Sequence, residues 1–424
     1  MIFKAFVTTL KHPAAQAKNP MRIAVDSNTP YAAEAFRGLG EVRLIDTGAF
    51  RAEILRDVDV LVVRSETRVD RGLLEGTPVR FVGTVTIGTD HVDQSFLESR
   101  GIPLASAPGS NSNSVKEYVL AALLELAHRF GFDLQGKTLG VVGVGNIGSK
   151  VVRVGELLGM RVLQNDPPRR RLTGDAHFLP LDELMEADIL TLHVPLTKGG
   201  EDPTVHLFDR DRIRRMKPDS ILINTSRGAV VETGAIREAL ERGHLRGAVL
   251  DVWEQEPGIP VDLLRRVTIG TPHIAGYSLD GKLNAVRMVR ASLCEAFGNS
   301  SSWDPSALLR PPGNHVLEIP AACATAGEVM RGAVSGAFDI LQDDCALREL
   351  PGMDPESRPG YFSGLRKSYR VRREFHAFSV RLPERWSALS APLQSLGFAV
   401  VPATRGVSGE QSTTLINSGT DPCH

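Results

Sequence analysis

The chain has 424 residues, and 49 Lys and Arg against 50 Asp and Glu give a formal net charge of −1 at pH 7. At roughly 150 residues per domain this length carries two or three domains, and the balanced charge argues against broad binding to nucleic acid or anionic lipid. Hydrophobic residues make up 42% and charged residues 23%, and no apolar run reaches the roughly 18 residues of a membrane span, so the pattern is that of a globular chain.

Residues 1–20 hold Lys4 inside their only apolar run and read as a disordered extension. From Met21 the Val/Ile-rich runs RIAV, VRLI, VDVLVVR and RFVGTV alternate with helix-like segments such as Pro30 to Leu39. This is the rhythm of a β/α domain with a mostly parallel sheet. Ser114-Val-Lys-Glu117 has the form of a capping box, and Val115, Tyr118, Val119, Ala122, Leu123 and Leu126 follow at helical spacing. The spacing predicts one long, half-buried helix joining two β/α regions.

From Gly136 the rhythm restarts: TLGVVGVGNIG, RVLQND, ADILTLHVPL, SILINTSRG, GAVLDVW and VTIGTPH are six apolar runs. They predict a six-stranded, doubly wound sheet. SLDGKLNAVRMVRASLCEAF reads as a helix, Asn299 to Asn314 as a linker, and residues 315–403 as a small α+β domain. Residues 404–424 are polar and aperiodic and read as a disordered tail. Cys294, Cys323, Cys345 and Cys423 lack C-x-x-C spacing, which argues against a zinc site or a disulfide framework and suits a reducing cytosol. No His/Asp/Glu cluster has metal-ligand spacing.

Gly143-Val144-Gly145-Asn146-Ile147-Gly148 follows the apolar strand Leu139 to Val142 and opens a helix near Ser149. In such a loop the first glycine makes the tight turn, the second lets a pyrophosphate approach the backbone, and the third allows close helix packing. Asp166 ends the next predicted strand, where a carboxylate accepts a ribose 2′-OH. That favours NAD over NADP, although Arg169, Arg170 and Arg171 follow directly and would favour a 2′-phosphate if they turned inward.

Ligands of open α/β sheets bind beyond the carboxyl ends of the strands. Arg227, Glu256 and His273 lie just past three predicted strands. Oxidising a 2-hydroxy acid needs a base for the hydroxyl proton, for which His273 is suited, and a carboxylate such as Glu256 to stabilise the imidazolium. Arg227 would hold the substrate carboxylate through paired hydrogen bonds. His193 also follows a strand and reads as structural or adjacent to nicotinamide, and His91 as packed in the first domain.

GVVGVGNIGSKV, LHVPLT, LINTSRGAVV, LDVWEQEP and TPHIAGYS are similar, in order and spacing, to the D-isomer-specific 2-hydroxyacid dehydrogenase family. The resemblance implies a Rossmann nucleotide domain, residues 114–275 with the linking helix, inserted in a discontinuous substrate domain, residues 21–113 and 276–298. It also implies that Arg227, Glu256 and His273 are the catalytic triad. The motifs VRS, FVGTVTIGTDHVD, APGSNSNSVKEYV and TPHIAGYSLDGK, with the segment 315–403, resemble a branch that oxidises a phosphorylated 2-hydroxy acid with NAD and dimerises through its C-terminal domain. The same resemblance implies substrate contacts at Ser65, Thr86 and Tyr277, and NAD contacts at Asp166, Val194, Asp251 and Gly276. Arg64 and Lys282 are further candidate cations for the substrate phosphate. Ser110, Glu66 and Val194 depart from the family pattern, and a carboxylate at Glu66 would repel a phosphate unless it faces solvent or pairs with Arg64 or Arg68. The cluster Arg366, Lys367, Arg370, Arg372 and Arg373 reads as a solvated face or dimer contact rather than a nucleic-acid site. Two alternatives remain at this point: a sister enzyme acting on 3-phosphoglycerate, and a binding protein that senses NAD(H).

Overall fold

The computed structural model describes residues 20–402. The tail expected at 404–424, and all but Pro20 of the extension expected at 1–20, lie outside the described residues. Two compact units emerge: the first runs to Asn111 and resumes over Ser278–Arg310, and the second holds Ser112–Tyr277 together with the chain from Pro311 onward.

The first unit is built on five parallel strands, β1 (Arg22–Asp26), β2 (Glu41–Ile45), β3 (Val60–Val63), β4 (Phe81–Thr84) and β5 (Leu104–Ala105), in the order β2-β1-β3-β4-β5. The central β3, Val-Leu-Val-Val, is buried throughout, as a parallel strand covered on both faces should be. One face packs on Val286, Val289 and Leu293 of the helix Leu279–Phe297, and the other on Leu55, Leu74 and Phe96. Ser278 starts that helix by accepting the Gly281 N–H at 2.8 Å.

In the second unit the six apolar runs form β6 (Thr138–Val142), β7 (Arg161–Asn165), β8 (Ile189–Leu192), β9 (Ser220–Asn224), β10 (Leu245–Leu250) and β11 (Ile269–Gly270). All are parallel, in the order β11-β10-β9-β8-β6-β7. Direction of winding reverses at β6, which lies between β7 and β8, and a crevice opens at such a switch point.

The linking helix spans Ser112–Phe130 and begins two residues before the expected cap. Ser114 therefore lies inside the first turn, and the capping box is not formed. Its hydroxyl instead donates to Glu374 at 2.7 Å, while Glu117 accepts the Phe375 N–H at 2.8 Å and pairs with Arg372 at 3.3 Å. A buried tertiary partner outcompetes the local cap.

Three further strands, β12 (Val316–Glu318), β13 (Ser379–Leu382) and β14 (Ala399–Pro402), form a small sheet in chain order. All three run parallel, so this region has the alternating α/β pattern rather than segregated helices and strands. Val329, Phe375, Val380 and Phe398 share one apolar cluster with Tyr118, Leu123 and Leu126 of the linking helix. The C-terminal region and the nucleotide domain thus share a core. The basic stretch is a solvated face only in part: Lys367 and Arg370 are exposed, whereas Arg372 and Arg373 are 4% and 6% exposed. Arg372 pairs with Glu117, donates to the carbonyls of Ala275 and Ser114, and lies 3.7 Å over the Phe338 ring. Among the described residues no helix is long and apolar enough to cross a membrane, and no group of three or more His, Cys, Asp or Glu could hold a metal.

Candidate active site

The glycine loop leaves β6 at the switch point. Gly143 has φ +84°, and a Cβ there would meet the His193 carbonyl at 2.8 Å; a Cβ on Gly148 would lie 1.9 Å from the Gly143 oxygen. Only glycine fits either position. Gly145 differs: nothing lies within 4 Å of where its Cβ would be. The tight turn and close packing enclose one open backbone face at the head of the helix Gly148–Leu157, which suits a pyrophosphate.

Asp166 stands just past β7, with one oxygen accepting the Val144 N–H at 2.9 Å and the other the Arg169 N–H at 3.0 Å. A carboxylate fixed against the glycine loop fits a ribose diol and repels a 2′-phosphate. Two of the three following arginines are already committed to protein partners. Arg169 donates to the Val144 carbonyl and stacks on Phe178, and Arg171 pairs with Asp202 and Glu201. These residues fit a bound dinucleotide.

The strands β9, β10 and β11 end side by side, with Leu250 in register with both Asn224 and Gly270. Arg227, Glu256 and His273 follow these ends and emerge at one edge of the sheet. His273 Nδ1 lies 2.7 Å from Glu256 Oε2, and Glu256 Oε1 accepts the Trp253 N–H at 2.9 Å. Burial raises the Glu256 pKa, but the charge and hydrogen bond of His273, the Trp253 N–H and the charge of Arg366 outweigh it and hold the carboxyl below its ordinary range. His273 itself adopts φ +58°, a left-handed conformation rare for a non-glycine residue and held here by its surroundings.

Asp251 accounts for that conformation. Its carbonyl accepts the His273 N–H at 2.7 Å, and its carboxylate accepts from the Thr271 hydroxyl and the Ile274 and Ala275 N–H groups at 2.7, 2.7 and 3.0 Å. The side chain is 1% exposed, and burial raises its pKa despite these donors. Asp251, expected as a cofactor contact, has its carboxylate engaged in shaping the loop that carries His273 and Gly276.

Arg227 donates to the Ser226 carbonyl at 2.9 Å, and its own carbonyl accepts from Asn224 at 3.0 Å. Beside it, a Cβ on Gly228 would stand 2.0 Å from the Trp253 carbonyl carbon and 2.3 Å from the Glu254 nitrogen. The Arg227 turn therefore rests directly on the backbone that leads to Glu256. His193 packs between Thr191 and Thr225, with ring nitrogens 3.0 and 3.3 Å from their hydroxyls, and burial lowers its pKa to about 3. It is a neutral imidazole. Val194 and Gly276 are half-buried near it and near His273 in the chain, respectively.

Tyr277 and Arg366 complete this edge. Arg366 Nη2 donates to the Tyr277 hydroxyl at 3.2 Å, and its guanidinium lies 5.7 Å from the Tyr277 ring centre. Arg366 escaped the sequence reading because a basic run in a soluble protein ordinarily faces water; the interleaved Tyr369, edge-on to Tyr277 at 5.7 Å, was the one signal of burial.

In the first unit, β3 and β4 end in register at Val63 and Thr84, so Arg64, Ser65 and Thr86 share one edge of that sheet. The Thr86 hydroxyl donates to the Gly88 carbonyl at 2.8 Å and lies 2.7 Å from Thr84, which in turn contacts His91 at 3.0 Å. Burial lowers the Lys282 pKa, and the charge of Arg64 lowers it further, so two cations stand close together. Ser65 and Glu66 are exposed, and Arg68 pairs with Asp70 rather than with Glu66. Ser110 is buried, 6% exposed.

Residues 113–275 match the family model described as the NAD binding domain of D-isomer specific 2-hydroxyacid dehydrogenases, and residues 311–397 match one described as a domain of unknown function. The chain is 45% identical over 381 residues to the erythronate-4-phosphate dehydrogenase of Cronobacter sakazakii, covering 89% of this chain and 98% of that protein. Among solved structures it resembles the NAD-dependent formate dehydrogenase of Staphylococcus aureus in complex with NAD, with TM-score 0.55, 27% identity and coverage of 67% of this chain and 97% of the other. It also resembles the D-lactate dehydrogenase of Aquifex aeolicus complexed with NAD and lactic acid, with TM-score 0.55, 27% identity and coverage of 65% and 96%.

Proposed function

The chain belongs to the erythronate-4-phosphate dehydrogenases, within the D-isomer-specific 2-hydroxyacid dehydrogenase family, and from that premise we propose how its residues carry the reaction. It is an NAD-dependent oxidoreductase that oxidises 4-phospho-D-erythronate to 2-oxo-3-hydroxy-4-phosphobutanoate, a step of pyridoxal 5′-phosphate biosynthesis. NAD, when bound, supplies the acceptor for the hydride leaving C2. Gly143, Gly145, Asn146, Ile147 and Gly148 would hold its pyrophosphate and Asp166 its ribose. Val194 and Gly276 would meet it through backbone, and Asp251 would serve by shaping the 271–276 loop.

His273 is the proposed general base. With Nδ1 facing the Glu256 carboxylate at 2.7 Å, the neutral imidazole donates there and keeps its lone pair on Nε2, where it takes the proton of the C2 hydroxyl. Glu256 fixes that tautomer and stabilises the imidazolium as it forms. This pair is the observation that carries the reading. Arg227 would bind the substrate carboxylate and polarise the C2 oxygen. Ser65, Thr86 and Tyr277 are proposed substrate contacts, and Arg64 and Lys282 are proposed for the phosphate. Support for the last two is their mutual proximity, because an anion relieves the repulsion between neighbouring cations. Residence in the cytoplasm and assembly as a homodimer through the C-terminal region belong to the same proposal; a monomer mass in light scattering would contradict the latter.

The test is to mix purified protein with NAD and follow NADH with 4-phospho-D-erythronate or 3-phosphoglycerate. NADH with the first supports the proposal. Turnover of 3-phosphoglycerate alone would replace the substrate, and silence with both would favour a sensing protein.

A further inference from the structure

The helix Arg358–Lys367 is anchored rather than loose: Phe362 is fully buried, and the Tyr361 hydroxyl donates to the Ala346 carbonyl at 2.8 Å. The chain that follows is fastened at several points. Tyr369 and Arg370 bind Asp343, Arg372 pairs with Glu117, and Glu117 accepts the Phe375 N–H. Arg370 and Arg372 thus each have a carboxylate partner within hydrogen-bond reach.

Arg366 does not. Among the described residues it hydrogen-bonds the Tyr277 hydroxyl, and its Nε, like that of Arg372, is buried with no hydrogen-bond partner. It is held beside the loop that carries His273, close enough to Glu256 for the two charges to interact. Arg366 is half-buried without a carboxylate partner, and a partly desolvated guanidinium favours an anion beside it. The adjacent carboxylates are committed: Glu256 to His273 and Trp253, and Asp251 to Thr271, Ile274 and Ala275.

We propose that Arg366, contributed by the C-terminal region, is a specificity-determining residue of the active site that binds the substrate phosphate together with the Tyr277 hydroxyl. The inference rests on the reading of the chain as an oxidoreductase for a phosphorylated 2-hydroxy acid. Of that substrate's groups, the carboxylate is assigned to Arg227 and the C2 hydroxyl to His273, and the phosphate, for which Arg64 and Lys282 are also proposed, is the dianion that a further guanidinium can share. A fork of N–H donors beside a phenol matches a tetrahedral dianion. The C-terminal region, whose residues 311–397 match a domain of unknown function, thereby gains a role in choosing the substrate.

The experiment compares wild type with Arg366→Met and Arg366→Lys on 4-phospho-D-erythronate and on unphosphorylated D-erythronate, after thermal melts establish that each variant folds. In Arg366→Met the ratio of the two kcat/KM values should fall about 10- to 100-fold, the size of one charge-assisted hydrogen bond, mostly through KM. Arg366→Lys should lie between, since it keeps the charge and loses the fork. Equal losses on both substrates would assign Arg366 to positioning Tyr277 or Glu256 and overturn the proposal, as would no loss on either. A second readout does not depend on turnover: inorganic phosphate should raise the melting temperature of the NAD-loaded wild type more than that of Arg366→Met. Equal protection of both proteins would again overturn it. If wild type proves inactive on 4-phospho-D-erythronate, the functional reading fails, and the phosphate titration still decides the anion site.

Discussion

Adding one methyl group at two glycines should give opposite outcomes. At Gly228 a Cβ would stand 2.0 Å from the Trp253 carbonyl carbon, 2.1 Å from its oxygen and 2.3 Å from the Glu254 nitrogen. Ordinary contacts begin near 3.4 Å, so the two backbones must part by about 1 Å, and all three obstacles are main-chain atoms that cannot rotate away. One backbone carries Arg227 and the other leads to Glu256. Overpacking of this kind costs about 1–3 kcal/mol of stability, and a misplacement of about 1 Å at a reacting centre costs on the order of 10²-fold in rate. Gly228→Ala should therefore melt lower and lose about 100-fold in kcat/KM, read as NADH absorbance, while NAD affinity changes little. Gly145→Ala meets nothing within 4 Å. It should melt at or above the wild-type temperature, because alanine restricts the unfolded chain, and should weaken NAD binding, measured by titration calorimetry, by about tenfold or more as its methyl enters the pyrophosphate's space. A Gly228→Ala enzyme with wild-type activity, or a Gly145→Ala enzyme with wild-type NAD affinity, would refute the geometric reasoning at that position.

Removing the base should separate chemistry from binding: His273→Ala is expected to lower turnover about 10²–10⁴-fold with NAD affinity nearly intact, and a fully active variant would take His273 out of the mechanism. Lys282→Ala should weaken use of 4-phospho-D-erythronate more than of D-erythronate, and equal loss would reject its role toward the phosphate. Glu117 gives a pH prediction. Burial, against the pull of Arg372 and Lys116 and reinforced by Glu374, raises its pKa from 4.5 to about 7. The folded state then holds more protons than the unfolded state between these values, so this group's contribution to stability is present at low pH and lost as pH rises toward 7. Glu117→Gln stays neutral throughout, so its melting temperature relative to wild type should rise between pH 5 and pH 8. Parallel pH profiles for the two proteins would remove Glu117 as the cause.

Elements with strong periodicity were legible from sequence. The six apolar runs after Gly136 became β6 to β11, because parallel strands covered on both faces must be apolar throughout. The glycine loop was legible too, since Gly143 and Gly148 answer local steric demands that no other residue meets and Gly145 leaves its backbone face open. What failed was anything decided by a distant partner. Ser114 and Glu117 have the local form of a cap, yet Glu374, Arg372 and Phe375, more than 250 positions away, claim them. Arg372 reads as a surface charge and lies buried on Phe338 for the same reason. Asp251 ends a strand at a ligand-binding edge, and only the structure reveals three donors from residues 271–275 converging on its carboxylate.

The central claim is that hydride leaves C2 of the phosphorylated acid as His273 takes the hydroxyl proton. Its most direct test is to supply 4-phospho-D-erythronate deuterated at C2 and locate the label by mass spectrometry of the products. The account predicts that the deuterium appears in the reduced nicotinamide, with NADH formation suppressed in His273→Ala. NADH that carries no deuterium, or the label retained in the oxidised product or released to water, would contradict it.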